Sequence, residues 1–179
     1  MNTLDPRSAL VLDTHELGRR AGAMFKKSIT APAPDNLGDD VIGIQAGSEI
    51  TLNIRCESVI EGMLVSGDVI AKATGQCSRC LDPIAFDLTV SVQELYEFEE
   101  SENDDEETLK LEGDLLDLEP VVRDALVLSL PLAPLCDEEC LGLCSECGIR
   151  LSEAPDHKHE SVDSRWQALQ GLLDEKKEG

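Results

Sequence analysis

The sequence predicts an α+β protein in which an antiparallel β-meander has flanking helices and a cysteine-rich C-terminal region. Three consecutive segments alternate apolar and polar residues, as strands do when one face of their sheet is buried. Segments before and after them carry apolar residues at helical spacing. The 179 residues fit one compact domain with three parts. We expect an N-terminal strand and basic helix (1–34), the meander with an acidic loop and a helix (35–135), and a cysteine-rich region with a C-terminal helix (136–179).

The N-terminal part is predicted to contain a short strand over residues 9–12 and a helix over residues 15–27. Asp13 or Thr14 can cap this helix, because their side-chain oxygens accept hydrogen bonds from the free amides of a helix start. The apolar residues of the helix recur at helical spacing, and they are Leu17, Ala21, Met24 and Phe25. The Ala-Pro-Ala-Pro-Asp-Asn-Leu-Gly segment that follows indicates a turn or linker.

The meander is predicted from strict alternation in three successive strands. Because consecutive strands with one polar face are typical of antiparallel sheets, we expect each strand to pair with the next. The apolar stripes are Ile50, Leu52, Ile54 and Cys56; then Met63, Val65, Val69, Ala71 and Ala73; then Ile84, Phe86, Leu88, Val90 and Val92.

An acidic segment follows the third strand. Residues 97–107 contain eight carboxylates among eleven residues, so they cannot form a core and are predicted to be a mobile, solvated loop. The sharper alternative is that this segment shields a basic partner by imitating RNA phosphates.

A strand-like stretch at residues 109–118 leads into a helix that begins near Asp117 and has Pro120 in its first turn. Pro131 is expected to end this helix, whose apolar face is predicted to hold Leu118, Val121, Val122, Ala125 and Leu128. A last helix, capped by Asp163, would place Trp166, Leu169, Leu172 and Leu173 on one side.

The formal net charge of −22 argues against non-specific binding to nucleic acid, which requires lysines and arginines to displace counterions. It favours basic partners. Residues 1–30 are the exception, with a small excess of basic side chains at Arg7, Arg19, Arg20, Lys26 and Lys27. The chain shows no signal peptide, and the longest apolar stretch, residues 125–135, is too short to span a membrane. We therefore expect a cytoplasmic protein.

Seven cysteines in a reducing compartment favour metal ligation over disulfides. Cys56 is set aside, because it falls on the buried stripe of a strand, where free cysteine acts as a small apolar side chain. Two Cys-x-x-Cys pairs and two further cysteines remain, followed by two histidines. These eight potential ligands suffice for two tetrahedral zinc ions and predict a zinc-stapled C-terminal region. They are Cys77, Cys80, Cys136, Cys140, Cys144, Cys147, His157 and His159.

The division of these ligands is less determined than their number. The preferred partition joins Cys77 and Cys80 to Cys136 and Cys140, and it leaves Cys144, Cys147, His157 and His159 for a compact second site. A single zinc ribbon, with the pair at 77 and 80 facing the pair at 144 and 147, is the rival. The two histidines could equally be solvated residues of a polar loop.

The sequence gives no sign of catalysis. A thioredoxin-type pair lies at the start of a helix, whereas Pro83 and another strand follow the pair at 77 and 80. Phosphate-binding glycine loops and the zinc-deaminase signature are both missing from the sequence. We therefore expect a protein that is not an enzyme.

The order of these motifs resembles the YceD family, whose members are called large ribosomal RNA subunit accumulation proteins. The resemblance lies in Cys-Ser-Arg-Cys-Leu-Asp-Pro (77–83), Leu-Glu-Pro-Val-Val-Arg-Asp-Ala (118–125), Leu-Pro-Leu-Ala-Pro-Leu-Cys (130–136) and Cys-Leu-Gly-Leu-Cys-Ser-Glu-Cys-Gly (140–148). The sequence departs from the usual family pattern at residues 149–152 and 163–165. His157 and His159 stand where relatives of this subtype often have Cys-x-Cys, which supports a ligand role for both.

The resemblance implies a non-enzymatic zinc-binding factor in large ribosomal subunit biogenesis and ribosomal RNA accumulation. The acidic composition favours a basic ribosomal protein or a pre-ribosomal particle as the partner over naked RNA. Two alternatives from other classes are a zinc-ribbon regulator that binds nucleic acid through the basic N-terminal helix, and a redox-sensing zinc chaperone.

Overall fold

The computed structural model describes residues 4–98 and 109–159, and within them the protein is mostly β with a single helix. The elements, in chain order, are β1 (Val11–Asp13), β2 (Met24–Pro32), β3 (Leu37–Gly38), β4 (Ile42–Ile44), β5 (Glu49–Ser58), β6 (Gly62–Gln76), β7 (Pro83–Glu97), β8 (Leu115–Asp117) and α1 (Glu119–Ser129). The expectation of several flanking helices was therefore overstated, because the described residues contain one.

Strand β6 is the centre of a six-stranded antiparallel sheet. Along one side it pairs with β7 over its whole length, from Gly62 opposite Glu97 to Gln76 opposite Pro83. Along the other side, β5 and β4 pair with successive stretches of β6, so they lie end to end. β2 extends the sheet beyond β5, and β3 extends it beyond β4. The predicted meander of β5, β6 and β7 is confirmed.

The alternation that predicted the meander also defines its buried face. Ile50, Leu52, Ile54 and Cys56 are all at most 3% exposed, whereas Arg55 is exposed. Burial raises the pKa of the Cys56 thiol to about 11, so this cysteine is a neutral core side chain, as predicted.

The predicted N-terminal helix was wrong. Residues 14–19 form turns, and Gly18 and Gly22 have φ angles of 54° and 88°, which a right-handed helix cannot contain. The chain then enters β2, which pairs with β5 over nine residues. Leu17, Met24 and Phe25 fit a helical period by coincidence, and pairing with an already alternating strand outweighs that weak local preference.

Helix α1 begins as expected, with proline in its first turn, and it ends at Ser129, two residues before Pro131. Its apolar face was only partly predicted. Leu126 is fully buried, whereas Leu128 is 84% exposed. The helix packs on β7 beside the small ribbon of β1 and β8, where the Tyr96 hydroxyl donates a 2.6 Å hydrogen bond to the Asp117 carbonyl.

Two predicted segments lie outside the described residues: most of the acidic segment 97–107, and the last helix, capped by Asp163. Glu97 and Phe98 are described and lie at the end of β7. Across residues 4–98 and 109–159, no helix has the length and apolar character that crossing a bilayer requires.

Candidate metal centres

The end of the central strand delivers the first group of cysteines. Cys77 directly follows β6, and Cys80 lies in the turn between β6 and β7. Cys136 and Cys140 come from the segment after α1, and the four sulfur atoms lie within 4.8 Å of one another. The Sγ atoms of Cys80 and Cys136 are 3.6 Å apart, and those of Cys77 and Cys140 are 3.9 Å apart. We call these four residues the first centre.

These separations match a tetrahedral zinc site. Zinc–sulfur bonds of about 2.3 Å at tetrahedral angles place two sulfurs about 3.8 Å apart. A disulfide would require about 2 Å, and none of the seven cysteines, all in the described part of the chain, is bridged. The donor set of the first centre therefore fits a structural zinc ion.

The second group contains Cys144, Cys147, His157 and His159, and we call it the second centre. The Cys147 sulfur is 3.2 Å from each histidine Nε2, and the two Nε2 atoms are 2.8 Å apart. Tetrahedral bonds of about 2.3 Å to sulfur and 2.05 Å to nitrogen give edges of about 3.5 and 3.3 Å. The four donors therefore fit one ion after outward shifts of a few tenths of an ångström.

Both Cys-x-x-Cys pairs adopt the same backbone turn, which we call the first turn (residues 77–82) and the second turn (residues 144–149). In the first, the Leu81 amide donates to the Cys77 carbonyl at 2.9 Å; in the second, the Gly148 amide donates to the Cys144 carbonyl at 2.8 Å. The next hydrogen bond also repeats, from the Cys77 amide to the Asp82 carbonyl and from the Cys144 amide to the Ile149 carbonyl. Leu81 and Gly148 have φ angles of 62° and 72°.

The turns favour thiolate at their first cysteine. A hydrogen bond from the backbone amide of Cys80 is the main cause that lowers the pKa of Cys77 to about 6. The amide of Cys147 does the same for Cys144, whose pKa is also about 6. At Cys80, the Asp82 amide favours the thiolate, but burial and the Cys77 thiol raise the pKa to about 12. Crowded thiols cannot all ionise unless a cation balances their charge, as zinc would.

Other side chains, not predicted from the sequence, hold the centres in place. Arg79 donates to the carbonyls of Glu138 and Cys140 at 3.1 and 2.9 Å, which joins the first turn to the segment after α1. Arg150 donates two hydrogen bonds to the Asp82 carboxylate, which joins the first turn to the second. This ion pair lowers the pKa of Asp82 to about 2.

The second centre has one carboxylate support of its own. The Nδ1 of His159 lies 3.4 Å from a carboxylate oxygen of Glu146. A carboxylate on one ring nitrogen leaves the other nitrogen free to bind a metal, a pairing common among zinc-bound histidines. Glu146 lies between the two cysteines of the second turn, but no spacing rule pointed to it.

The structure groups the eight side chains as the preferred partition does. Cys77 and Cys80 group with Cys136 and Cys140, and the ribbon arrangement with Cys144 and Cys147 is not formed. His157 and His159 converge with the second pair instead of facing solvent separately. Metal occupancy and the identity of the metal stay predictions.

Sequence comparison places these centres in a known family. Residues 65–173 match the family described as large ribosomal RNA subunit accumulation protein YceD. The chain is also 39% identical to the uncharacterized protein Rv2926c of Mycobacterium tuberculosis strain H37Rv over 170 residues, covering 93% of this chain and 82% of that one. The chain belongs to the YceD family.

More distant YceD relatives include the uncharacterized protein ML1660 of Mycobacterium leprae, 34% identical, which aligns with 93% of this chain and 78% of its own length. The uncharacterized protein YlbN of Bacillus subtilis is 26% identical and aligns with 68% of this chain and 70% of its own. No solved structure shows significant similarity. Both centres lie inside the residues matched to the YceD family, so the family region contains every proposed ligand.

Proposed function

We propose that this protein is a non-enzymatic, cytoplasmic factor for large ribosomal subunit biogenesis, in which two zinc ions hold the C-terminal region on the sheet. The observation that carries the proposal is the match of residues 65–173, which include both centres, to the large ribosomal RNA subunit accumulation family. The description of that family supports the proposed role, and the donor sets of the two centres support zinc as the metal.

The ligand count supports a structural role for zinc. Each centre offers four protein side chains, which complete a tetrahedral shell. Catalytic zinc sites usually have three protein ligands and a fourth position for water or substrate. When bound, zinc would supply the positive charge that lets neighbouring thiolates coexist and would join the end of β6 to the segment after α1. The proposal therefore assigns the protein no reaction.

The charge of the chain supports a basic partner. The net charge of −22 suits a basic ribosomal protein or the protein-rich surface of a pre-ribosomal particle. Residues 97–107 are the strongest candidate for that contact, because they carry eight carboxylates among eleven residues. Of the two alternative functions, the regulator loses its main support, because the residues of the basic helix that it required form turns and the start of strand β2.

The proposal can be tested in cells that lack the protein. We expect depletion to reduce large-subunit ribosomal RNA relative to small-subunit RNA, and the wild-type gene to restore the ratio. Cys80→Ser should restore it poorly, whereas Cys56→Ala should restore it fully, because only Cys80 belongs to a centre. A ratio unchanged by depletion would contradict the proposed function.

The metal content can be tested separately. Elemental analysis of protein purified without chelator should find about two zinc ions per chain, because two groups of four ligands are present. About one ion would contradict the two-centre assignment, and no zinc would contradict the structural role of the metal.

A further inference from the structure

Strand β7 is an outer strand of the sheet, and one of its two edges has no neighbouring strand. It pairs with β6 along its whole length, and no other described strand pairs with it. At its end, the Glu97 amide donates to the Leu109 carbonyl and the Glu97 carbonyl accepts from the Leu111 amide, so both groups face away from β6. Backbone direction alternates along a strand, and the register with β6 has no bulge, so every second residue before Glu97 faces the same way. These residues are Ala85, Asp87, Thr89, Ser91, Gln93 and Leu95.

The outward amides and carbonyls of these six residues have no backbone partner within residues 4–98 and 109–159. Proteins usually protect such an edge with lysine, proline or a bulge. The outer strand β2 contains two lysines and ends at Pro32. Between Ile84 and Leu95, β7 has no lysine, no proline and no bulge. We call residues 85–95 the open edge, because the backbone there can accept a further strand.

A groove lies beside part of the open edge. Its volume is about 390 Å³, and it separates residues 91–94 of β7 from helix α1. One wall is an apolar stripe of α1, in which Val121 is buried, Ala125 is half-buried and Leu128 is 84% exposed. These three side chains share a face of the helix because they are four and three positions apart. In the described structure the sheet ends at β7, so a strand added in the groove would extend it toward Leu128.

The rest of the open edge also borders apolar surface. Ile84, Phe86, Leu88 and Val90 share the buried face of the sheet, but all four are only half-buried. The equivalent stripe of β5, which has a strand on each side, is at most 3% exposed. The stripe of β7 is more exposed because β7 has a neighbour on one side only. A strand added to the open edge would place every second side chain beside this stripe and cover it.

The charge of the groove favours a basic strand. The groove contains two carboxylates, Glu94 and Asp124, and no cation. Within residues 4–98 and 109–159, neither carboxylate forms an ion pair. A second copy of β7 fits poorly, because that strand contains three acidic side chains and no basic one. The carboxylates instead fit lysine or arginine on a segment of another protein.

We propose that the open edge binds an extended, basic segment of a partner protein, which joins the sheet as a further strand beside α1. Main-chain hydrogen bonds to an exposed edge give affinity, and alternate side chains give specificity. The apolar side chains of the segment cover the half-buried stripe of β7 and contact Leu128, and its cations lie near Glu94 and Asp124. The choice of a basic partner agrees with the proposed function but rests on these two carboxylates.

Strand addition can be tested with a labelled heptapeptide of alternating lysine and valine, whose binding to the full chain is followed by fluorescence anisotropy. A strand pairs with its neighbour through alternate residues, so only half of the peptide amides face the protein. Of two peptides methylated at the odd or the even backbone nitrogens, one should bind like the unmethylated peptide and the other at least about tenfold more weakly. Equal binding of the two methylated peptides would overturn strand addition.

Thr89→Pro tests the open edge itself. It replaces an outward amide with a ring and removes no hydrogen bond to β6, so the strand should tolerate it. We expect it to weaken binding of the peptide about tenfold or more.

Thr30→Pro is the matched control for this variant. The Ala33 amide donates to the Ser48 carbonyl, so the odd-numbered residues of β2 face β5 and Thr30 faces the outer edge. Both threonines are exposed. Thr30→Pro should keep the wild-type affinity, and thermal unfolding should show that both variants are folded. Equal loss of binding in the two variants would overturn the assignment to β7.

The basic character of the partner is tested by charge. Glu94→Gln/Asp124→Asn should weaken binding of the lysine–valine peptide about fivefold and flatten its salt dependence. Asp40→Asn/Glu49→Gln removes the same charge from exposed positions outside the groove and should change neither. An equal effect of the two double variants, or equally tight binding of an alternating glutamate–valine peptide, would overturn the assignment to a basic segment.

Hydrogen exchange of the free protein distinguishes the other possible occupants. The outward amides of Asp87, Thr89 and Ser91 should exchange rapidly and become protected when the peptide binds. Protection in the free protein that disappears on dilution would identify a second copy of the chain as the occupant. Protection that does not depend on concentration would identify a segment of the same chain. Either result would overturn the proposal.

Strand addition and the proposed function can fail separately. If the protein does not bind the peptide at the open edge but still restores ribosomal RNA in depleted cells, only the assignment of the open edge is wrong. If binding at the open edge is present while depletion leaves the ribosomal RNA ratio unchanged, the proposed function is wrong and the assignment of the open edge stands.

Discussion

Arg150, three residues after Cys147, donates two hydrogen bonds to the carboxylate of Asp82, two residues after Cys80. The pair connects the two turns across 68 residues of sequence. Among residues 4–98 and 109–159, this side-chain contact links the second centre most directly to the turn at the end of β6.

Removing this ion pair should loosen the second centre more than the first. Both side chains are about 40% exposed, so solvent screens the pair and Arg150→Gln is expected to lower the unfolding free energy only slightly. Zinc should nevertheless leave the second centre faster in a chromophoric chelator assay. Arg55→Gln removes an exposed ion pair that belongs to neither centre, so it should leave zinc release unchanged. Equal acceleration in both variants would contradict the coupling.

Replacing single cysteines should separate ligation from packing. Cys80→Ser is expected to lower the zinc content from about two ions to about one and to lower the thermal midpoint, because the first centre joins distant segments. Cys56→Ala should keep both ions and lose about 1–2 kcal/mol, the cost of a small cavity in the core. Zinc loss in Cys56→Ala would show that this cysteine had been wrongly excluded.

The repeated turn predicts opposite effects at equivalent positions. Gly148→Ala should cost about 1 kcal/mol, because a side chain disfavours the positive φ there, although no atom lies within 4 Å of the added Cβ. Leu81→Gly should be neutral or stabilise the protein by up to about 1 kcal/mol, since leucine already bears that strain.

Zinc retention distinguishes the turns from an ordinary loop. Gly148→Ala should speed zinc release, because it strains the second turn. Gly47 also has a positive φ and open space around the added Cβ, so Gly47→Ala should lower stability by a similar amount without speeding zinc release. Faster release in Gly47→Ala than in Gly148→Ala would contradict a local role for the turn.

His15 offers a pH-dependent test of the N-terminal turns. Its Nδ1 lies 2.8 Å from Asp114, and this hydrogen bond is the main cause that raises the pKa of His15 above 6.5. The folded protein therefore gains stability from protonated His15 below about pH 6.5 and loses it as the pH rises through the folded pKa.

An NMR titration of His15 should show a midpoint above 6.5 that falls toward 6.5 in Asp114→Asn. Asp68→Asn, on the open face of the sheet, should leave the midpoint in place. A midpoint unaffected by Asp114→Asn would exclude the contact in solution.

Local pattern predicted the elements whose partners are close in sequence. The stripe from Ile50 to Cys56 was sufficient for β5, because burial of one sheet face imposes alternation on the sequence. In β2, Lys27 interrupts the apolar stripe between Phe25 and Ile29, so the local pattern does not indicate a strand. Pairing with β5 over nine residues makes that segment a strand. Leu128 was wrongly assigned to the buried face of α1. Helical spacing shows which residues share a face of the helix, but it does not show how far the sheet that covers that face extends.

The candidate ligands were predictable because cysteine and histidine are few in this chain, with seven and three among 179 residues. Their short spacings also limited how they could be divided between two sites. The carboxylates that hold the centres in place could not be predicted from the sequence. Asp82 and Glu146 are two carboxylates in a chain with 37 acidic residues, and nothing local distinguishes them. Their importance comes from Arg150 and His159, which only the folded backbone brings within reach.

The two centres close loops of very different length. Cys80 and Cys136 are 56 residues apart, whereas Cys147 and His157 are ten apart. Under polymer statistics, closing the longer loop removes about 1.5 kcal/mol more conformational entropy from the unfolded chain. The second centre can therefore form early and locally during folding, whereas the first must wait until the sheet and α1 have brought its two halves together. Zinc capture by the first centre would then report completed folding of the whole domain.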